Sequence, residues 1–163
     1  MRKPRWDAKR ITELLGGLAV VISLIFVGIE LRENAIATKA EAAHNASMAL
    51  TGWYLELGTN AEAGSIFRRA MGDPESLDKD EAFQFVMMLH AGLLAYQDIY
   101  FLADQGALEI GVFEVLAPAL SLGRSNPGFI WYWQQRREYF SEGFRKYVDE
   151  LEATHSDGAI IYQ

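Results

Sequence analysis

The sequence predicts an all-α protein in which an N-terminal transmembrane helix continues into a long helix that packs in a small bundle of about five helices. Three observations support this class. Residues 14–29 form an apolar run without a charged side chain, no stretch alternates as a strand does, and apolar residues recur at helical spacing in later stretches. Because 23% of the residues are charged, the chain is not a polytopic membrane protein.

The apolar run LLGGLAVVISLIFVGI widens to residues 11–31 when Glu13 and Glu30 are included. At about 1.5 Å per residue the uncharged run is a little short for a hydrocarbon core of about 30 Å, but its flanks can snorkel or the bilayer can thin. Within this predicted transmembrane helix, the small residues Ala19 and Ser23 lie four positions apart and are candidate interface residues for another helix. The residues expected to line the span are Leu14, Leu18, Val21, Leu24, Ile25, Phe26 and Ile29.

Charge is unevenly distributed about this helix. Residues 1–10 hold five basic side chains against Asp7 alone, whereas the chain after Glu33 is acidic and the net charge is −7. Basic residues favour the cytoplasmic side of a span, so we predict a basic cytoplasmic leader at residues 1–10 and a domain on the other side. An acidic domain repels phosphate groups, which argues against a nucleic-acid partner.

A cleavable signal peptide is the alternative interpretation of this region. The tripeptide Ala35-Ile36-Ala37 has the small-x-small pattern of a cleavage site. The apolar run is longer than a usual signal core, however, and charged residues at 30, 32 and 33 separate it from that site. These two features favour a retained transmembrane helix.

The helical domain is predicted over residues 32–153, with a C-terminal tail at residues 154–163. Its first helix continues the membrane helix, because the chain between Gly28 and Gly52 is rich in alanine and contains no proline. Gly58 is expected to end this helix, and Thr59 or Asn60 can cap the next one. One face is apolar or small, at Ile29, Ile36, Ala40, Ala43, Leu50, Trp53 and Leu57.

The second and third helices have clear end signals. The second is expected over residues 61–71 and stops at Gly72-Asp73-Pro74, with its core face formed by Ile66, Phe67 and Met71. Asp78 and Glu81 have the spacing of a capping box, so the third helix should begin there and end at Gly106.

The third helix is apolar on nearly every side from Phe83 to Tyr96. It is therefore either the central helix of the bundle or a second membrane span. We favour the central helix, because three polar side chains interrupt the apolar stretch, namely Gln84, His90 and Gln97.

Two further helices complete the predicted bundle. Residues 108–122 should form a weaker helix that is interrupted near Pro118, and residues 124–128 a loop. A fifth helix is expected from Phe129 to Glu152, with Arg137 interrupting its apolar stripe. That stripe consists of Ile130, Trp133, Phe140, Phe144, Tyr147 and Leu151.

The motif Glu-x-x-His, which is typical of metal sites in helical bundles, occurs twice, at Glu41–His44 and Glu152–His155. In bundles that bind two metal ions, two such motifs combine with a glutamate from each of two other helices. The glutamates available on other helices, Glu62 and Glu114, do not lie in a sequence pattern that matches such a site. The second Glu-x-x-His motif lies at a helix end. The chain also has no cysteine, which excludes metal sites with thiolate ligands and catalysis by a thiolate. We therefore expect no metal site and no cofactor.

His90 lies in the most apolar helix. It either makes a hydrogen bond within the core or acts as a proton relay or ligand. Because no serine or aspartate follows it at a triad-like spacing, we expect the structural role.

Residues 129–133 (Phe-Ile-Trp-Tyr-Trp) hold more aromatic side chains than one helix face needs. Core packing accounts for Trp133 and for residue 129 or 130. The remaining side chains either add to the core, contact a partner protein or lie among lipid headgroups, because tryptophan, tyrosine and arginine are enriched in such places. The candidate interface residues in this region are Trp131, Tyr132 and Arg136.

Two stretches carry a resemblance to known proteins: VGIELRENAIATKAEAAH after the span and NPGFIWYWQQRREYFSEGFRKYVDEL near the C-terminus. The chain resembles a group of uncharacterised bacterial single-pass membrane proteins with a small helical domain after the span. In that group an LRxNxxA-like stretch follows the span and a helix rich in tryptophan and phenylalanine comes later. The resemblance implies a bacterial inner-membrane protein and implies no activity or catalytic residue.

Together these features predict a membrane-anchored, non-enzymatic helical interaction protein, with its N-terminus in the cytoplasm and its domain in the periplasm. The expected partners are other membrane protein subunits or further copies of the chain, together with membrane lipid. One alternative is a small ligand- or metal-binding bundle tethered to the membrane, based on His44, His90 and the Glu-x-x-His pairs. Another is a membrane-damaging effector, based on the short span that contains glycine.

Overall fold

The computed structural model describes residues 8–108 and 118–151, except for the side chains of residues 8–10. Across these ranges the regular structure is helical and no residue lies in a β-strand, which confirms the all-α class. The helices are α1 (Ala8–Thr59), α2 (Ala61–Gly72), α3 (Lys79–Asp104), α4 (Pro127–Arg136) and α5 (Glu142–Glu150), with 3₁₀ turns at Pro74–Ser76 and Arg137–Tyr139 and a helical segment at residues 118–124.

The chain divides into two compact units, Met1–Lys39 and Ala40–Gln163, and α1 contributes residues to both. In the first unit, the large apolar side chains of α1 between Ile11 and Leu31 are exposed. By length and composition α1 can cross a membrane, and none of its most apolar stretch is buried. Helix α3 passes the same test of length and composition, but 44% of its most apolar stretch is buried.

The second unit is built around α3, which contributes the buried residues Phe85, Val86, Leu89, Gly92, Leu93, Ala95, Tyr96 and Ile99. Helix α2 packs against it with the predicted residues Ile66, Phe67 and Met71, all of which are buried. From α1, Ala46 and Leu50 are buried and Trp53 and Leu57 pack against the same core. The apolar face predicted on α1 therefore enters the core with its later residues, whereas Ile29 and Ile36 are exposed.

Two glycines mark the closest approaches between helices in this unit. A Cβ atom on Gly128 would lie 2.1 Å from the carbonyl oxygen of Ala70, so α4 meets the end of α2 backbone to backbone. A Cβ atom on Gly92 would lie 2.5 Å from the indole ring of Trp53. That indole also donates from Nε1 to the carbonyl oxygen of Met88 at 2.6 Å, which fixes α1 against α3.

The predicted helix ends are confirmed in three places. The Asn60 side chain accepts a hydrogen bond from the Ala63 backbone N–H at 3.1 Å and caps α2. Asp78 and Glu81 form the expected capping box at the start of α3. After α3, Gly106 adopts a positive φ of 62°, a conformation that favours glycine and turns the chain away from the helix axis.

The predicted fifth helix from Phe129 to Glu152 is wrong as a single element. The chain forms α4, a 3₁₀ turn, an extended pair at Phe140 and Ser141, and then α5. The break is stabilised because the Ser141 backbone N–H donates to Gln97 Oε1 at 2.7 Å instead of to a helical carbonyl. It allows Phe140 and Phe144 to be buried in the same core.

The loop predicted at residues 124–128 is shorter than expected. Pro127 is the first residue of α4, where its fixed φ and missing N–H suit a helix start, so Gly128 is already helical. Most of the weaker helix predicted at residues 108–122 lies outside the described residues. Of its described residues, Leu108 lies in a bend and residues 118–122 are helical.

Candidate functional site

The residues predicted to line the membrane span share one property in the structure: their side chains are exposed. This holds for Leu14, Leu18, Val21, Leu24, Ile25, Phe26 and Ile29. The candidate interface residues Ala19 and Ser23 are exposed as well. The Ser23 hydroxyl donates to the carbonyl oxygen of Ala19 at 2.9 Å, so this polar group is satisfied within its own helix. Such a bond is what a serine in a hydrocarbon environment requires.

The candidate interface in the aromatic region is corrected at Tyr132. This residue is 0% exposed, because α4 begins at Pro127 and turns residues 129, 132 and 133 towards the core. Trp131 is half-buried, with its ring 6.3 Å from that of Phe85. Arg136 is also half-buried and lies 5.4 Å from the centre of the exposed Tyr139 ring. Ile130, which was expected in the core, is exposed.

His90 makes the hydrogen bond in the core that the sequence favoured. Its Nδ1 bonds with the Tyr132 hydroxyl, which joins α3 to α4. Burial, assisted by the nearby Arg136 guanidinium, holds the pKa of His90 below its usual value. Burial likewise raises the pKa of Tyr132 well above its usual value. Both shifts favour the neutral forms of the two groups.

The polar residues that interrupt the apolar stretch of α3 also have a structural use. His90 binds α4 through Tyr132, and Gln97 accepts the hydrogen bond from the Ser141 N–H that begins α5. Two of these three polar residues therefore hold the C-terminal helices against α3 through hydrogen bonds. The third, Gln84, is exposed.

Asp149 joins the C-terminal helices through two hydrogen bonds, and the sequence analysis did not identify it. One of its carboxylate oxygens accepts a hydrogen bond from Trp133 Nε1 at 2.8 Å, and the other accepts one from Arg137 at 2.5 Å. It thereby ties α5 to α4 and the turn that follows α4. The arginine that interrupts the predicted apolar stripe is the partner of this carboxylate. Arg137 and Asp149 are twelve positions apart and would not lie on the same face of one helix, so their spacing did not predict this contact.

Aromatic side chains of α4, the turn after it and α5 form a continuous series of ring contacts in the core. The ring centres of Phe129 and Trp133 lie 5.8 Å apart, those of Trp133 and Phe140 5.4 Å, and those of Phe140 and Phe144 5.7 Å. Aromatic pairs at such separations are stabilising beyond their buried area. Core packing therefore accounts for most of the cluster around residues 129–133.

The Glu-x-x-His motifs do not converge in the described part of the chain. Glu41, His44 and Glu62 are exposed, and Glu114, Glu152 and His155 lie outside the described residues. Among residues 8–108 and 118–151, no group of three or more histidine, aspartate or glutamate side chains is placed to hold a metal ion.

An open apolar cavity of about 380 Å³ lies between α1, α2, α3 and the helical segment at residues 118–124. Its walls include Trp53, Phe67, Leu93 and Phe129. The hydroxyls of Tyr54 and Tyr96, two further lining residues, are 2.9 Å apart and hydrogen-bonded to each other. The volume is in the range of small-molecule sites, and an apolar wall with a few polar groups is typical of them.

A second feature that the sequence did not identify is a line of exposed side chains along α3. We name it the α3 stripe; it consists of Phe83, Met87, Ala91, Leu94 and Phe101, with Asp98 as the charged residue within it. Four of its members are large and apolar. The uniform hydrophobicity of α3 concealed it, because a sequence that is apolar on every side does not show which face is covered.

The comparisons with known proteins give no family for this chain. No protein-family model, curated protein or solved structure matches it. The function must therefore be argued from the surfaces described above.

Proposed function

We propose that this chain is a membrane-anchored, non-enzymatic helical interaction protein, acting as an accessory or structural subunit of a larger membrane complex or as a homo-oligomer. The observation that carries the proposal is the exposed apolar stretch of α1 from Ile11 to Leu31. Burying one large apolar side chain is worth about 1.5–3 kcal/mol, so a run of such residues strongly favours a lipid environment over water. A bilayer provides that environment.

The polar groups in the second unit support a structural role. Three polar side chains of the described residues join helices: His90 bonds with Tyr132, Gln97 with Ser141, and Asp149 with Trp133. The ion pair between Arg69 and Glu81 likewise joins α2 to α3, and it contributes most to lowering the pKa of Glu81, followed by the Asp78 backbone N–H. These bonds specify the bundle and leave its outer surface for contacts.

The proposed location is the bacterial inner membrane, crossed once, with the N-terminus in the cytoplasm and the helical domain in the periplasm. The basic residues 1–10 and the acidic composition after Glu33 support this orientation. The resemblance to bacterial single-pass proteins supports the compartment. The proposed partners are other membrane protein subunits or further copies, and membrane lipid, without a nucleic acid or a cofactor.

Purification from membranes in a mild detergent tests this function. We expect the full chain to elute as an oligomer or with a stoichiometric membrane protein, identified by mass spectrometry. A chain that elutes only as a monomer, without any such protein, would contradict the proposal.

Cysteine labelling tests the orientation, because the chain has no cysteine of its own. In intact cells with a permeabilised outer membrane, a Ser156→Cys variant should react with an impermeant thiol reagent. A Lys3→Cys variant, the matched control, should react only after the inner membrane is broken. The reverse pattern would contradict the orientation.

The cavity beside Trp53 supports a second candidate function, the binding of a small apolar molecule. Its apolar walls and the hydrogen-bonded tyrosine pair suit a hydrocarbon-like ligand with one hydrogen-bonding group. Native mass spectrometry of the detergent-purified chain should then show a bound molecule that is lost in a Gly123→Trp variant designed to fill the cavity.

Elemental analysis tests the alternative in which the bundle binds a metal ion. Less than about a tenth of an equivalent of iron, zinc or manganese in the purified chain would exclude it.

A further inference from the structure

The α3 stripe is exposed along its whole length. Its large members are 65% (Phe83), 43% (Met87), 39% (Leu94) and 56% (Phe101) exposed. Successive members are separated by steps of three, four or seven residues when Asp98 is passed over, and these steps return to one face of a helix. From its first to its last member the stripe is about 27 Å long at the helical rise. Contiguous exposed apolar surface of this kind marks an interaction site.

The charges around the stripe argue against a lipid surface as its occupant. Acidic side chains lie at its start, within it and at its end, at Asp80, Asp98 and Asp104, whereas α3 has a single basic side chain of the lysine or arginine type, Lys79. Helices that lie on a membrane have basic residues beside the apolar face, because the headgroup surface is commonly anionic. A protein partner suits this surface better.

The order of residue sizes along the stripe is self-complementary. Ala91, the small member, lies near the middle, and large side chains lie on both sides of it. If two copies of α3 pack antiparallel with Ala91 at the crossing point, the helices can approach closely there. The large side chains before the crossing then meet large side chains after it. Such a pairing is isologous, since both copies use the same surface.

The charged residues at the two ends fit the same arrangement. Lys79 lies 12 residues before Ala91 and Asp104 lies 13 residues after it. The 25 residues between them are close to about seven helical turns, so both lie on the same side of the stripe. In an antiparallel pair, Lys79 of each copy therefore lies beside Asp104 of the other. Within the described part of the chain, neither residue makes an ion pair.

We infer that the α3 stripe is the interface of a homodimer in which two copies of α3 pack antiparallel about a two-fold axis near Ala91. This inference rests on the proposed function and deepens it, because it names the partner and the surface. Anchoring in one membrane raises the effective concentration of the copies, which favours an interface of moderate size.

Disulfide cross-linking in native membranes tests the axis. The full-length Ala91→Cys variant should form a covalent dimer on mild oxidation, because the two Cα atoms at the crossing come within disulfide range. The control is Leu55→Cys, at an exposed position on α1, which should stay monomeric on the same gel. The absence of an Ala91→Cys dimer would overturn the inference.

A second pair of variants tests the direction of packing. When a chain with Lys79→Cys and a differently tagged chain with Asp104→Cys are expressed together, we expect a cross-link between the two tags. Each variant expressed alone should give little covalent dimer. Cross-linking of Lys79→Cys with itself would indicate parallel helices and would overturn the antiparallel arrangement.

A non-covalent measurement tests the same interface without a cysteine. Leu94→Glu should raise the dissociation constant of the dimer by about tenfold or more, because a carboxylate would be buried at the interface. Leu55→Glu makes the same exchange outside the stripe and should leave the constant unchanged, while circular dichroism checks that both variants are folded. Equal dissociation constants in folded Leu94→Glu and wild-type protein would overturn the inference.

These outcomes are separate from those of the proposed function. A monomeric α3 in a chain that stays in the membrane and co-purifies with another subunit would overturn the homodimer and leave the proposed function standing. Protection of Ala91→Cys from aqueous thiol reagents in membranes, without any cross-link, would assign the stripe to lipid and would also overturn the homodimer.

Discussion

Gly128 shows how one residue sets the position of a helix. Its α-carbon faces the backbone of Ala70, where a methyl group would lie 2.1 Å from a carbonyl oxygen, and a backbone cannot yield as a flexible side chain can. We expect Gly128→Ala to lower the free energy of unfolding by about 3 kcal/mol, measured by chemical denaturation in detergent micelles with tryptophan fluorescence.

The matched control for Gly128 is Gly52→Ala on α1. A methyl group at residue 52 meets nothing within 4 Å, so this change should be neutral or stabilise the helix by up to about 1 kcal/mol. Equal effects of the two substitutions would show that α2 and α4 do not approach as described.

His90 provides a pH-dependent contribution to stability. Because burial lowers the pKa of His90 in the folded state, the unfolded chain takes up the proton first as the pH falls. The stabilisation is fully present above the unfolded pKa of about 6.5 and is lost as the pH falls through the folded pKa.

The prediction from His90 is that the free energy of unfolding decreases between about pH 7.5 and pH 5, and that His90→Gln reduces this slope. His44→Gln, at an exposed position, controls for the loss of a histidine. A slope that is the same in wild-type and His90→Gln protein would contradict a neutral His90 bonded to Tyr132.

Single residues were predictable where local chemistry decides. The caps at Asn60 and Asp78 and the buried residues of α2 follow from spacing and side-chain type. The predicted burial of Ile130 and exposure of Tyr132 were wrong. Which side chains of a helix face the core depends on where the helix begins and ends, and α4 begins at Pro127 and is interrupted after Arg136. The break in turn depends on Gln97, which is 44 residues away from Ser141. Sequence patterns carry no information on such distant partners.

The start of α3 is specified by a reciprocal pair of hydrogen bonds. The Asp78 side chain accepts from the backbone N–H groups of Asp80 and Glu81, and the Glu81 side chain accepts from the Asp78 N–H. We expect Asp78→Ala to lower the free energy of unfolding by about 1 kcal/mol. Asp80→Ala removes the same charge from the same turn without removing the cap, and should cost less in the same denaturation measurement. Equal losses would attribute the effect to charge alone.

Helices were easier to predict than their interruptions. Two of the predicted helices end at recognisable stop signals, Gly72-Asp73-Pro74 after α2 and Gly106 after α3. The interruption at Phe140 and Ser141 has no glycine or proline within it, so nothing local marks it. It is stabilised by tertiary contacts, namely the burial of Phe140 and the hydrogen bond that the Ser141 N–H donates to Gln97 Oε1.

At the level of the whole molecule, the sequence pattern was sufficient to predict the fold class. It was insufficient to predict which side chains are exposed on the surface. The absence of strand patterns and the long apolar first helix predicted an all-α protein, and the helical structure of the described residues confirms it. The division of α3 into a buried and an exposed face could not be predicted, because both faces are apolar. Among the described residues, the positions of α1, α2, α4, α5 and the helical segment at residues 118–124 decide which side chains of α3 are covered.

The central claim is that residues 11–31 cross a membrane, and extraction of isolated membranes with alkaline carbonate tests it most directly. We expect the full chain to remain in the membrane pellet. Val21→Arg together with Ile25→Arg should release it, because each arginine near the centre of a span costs about 2.5–3.5 kcal/mol. Met48→Arg with Leu55→Arg, at exposed positions outside the span, should leave it in the pellet. Recovery of the unaltered chain in the soluble fraction would contradict the account.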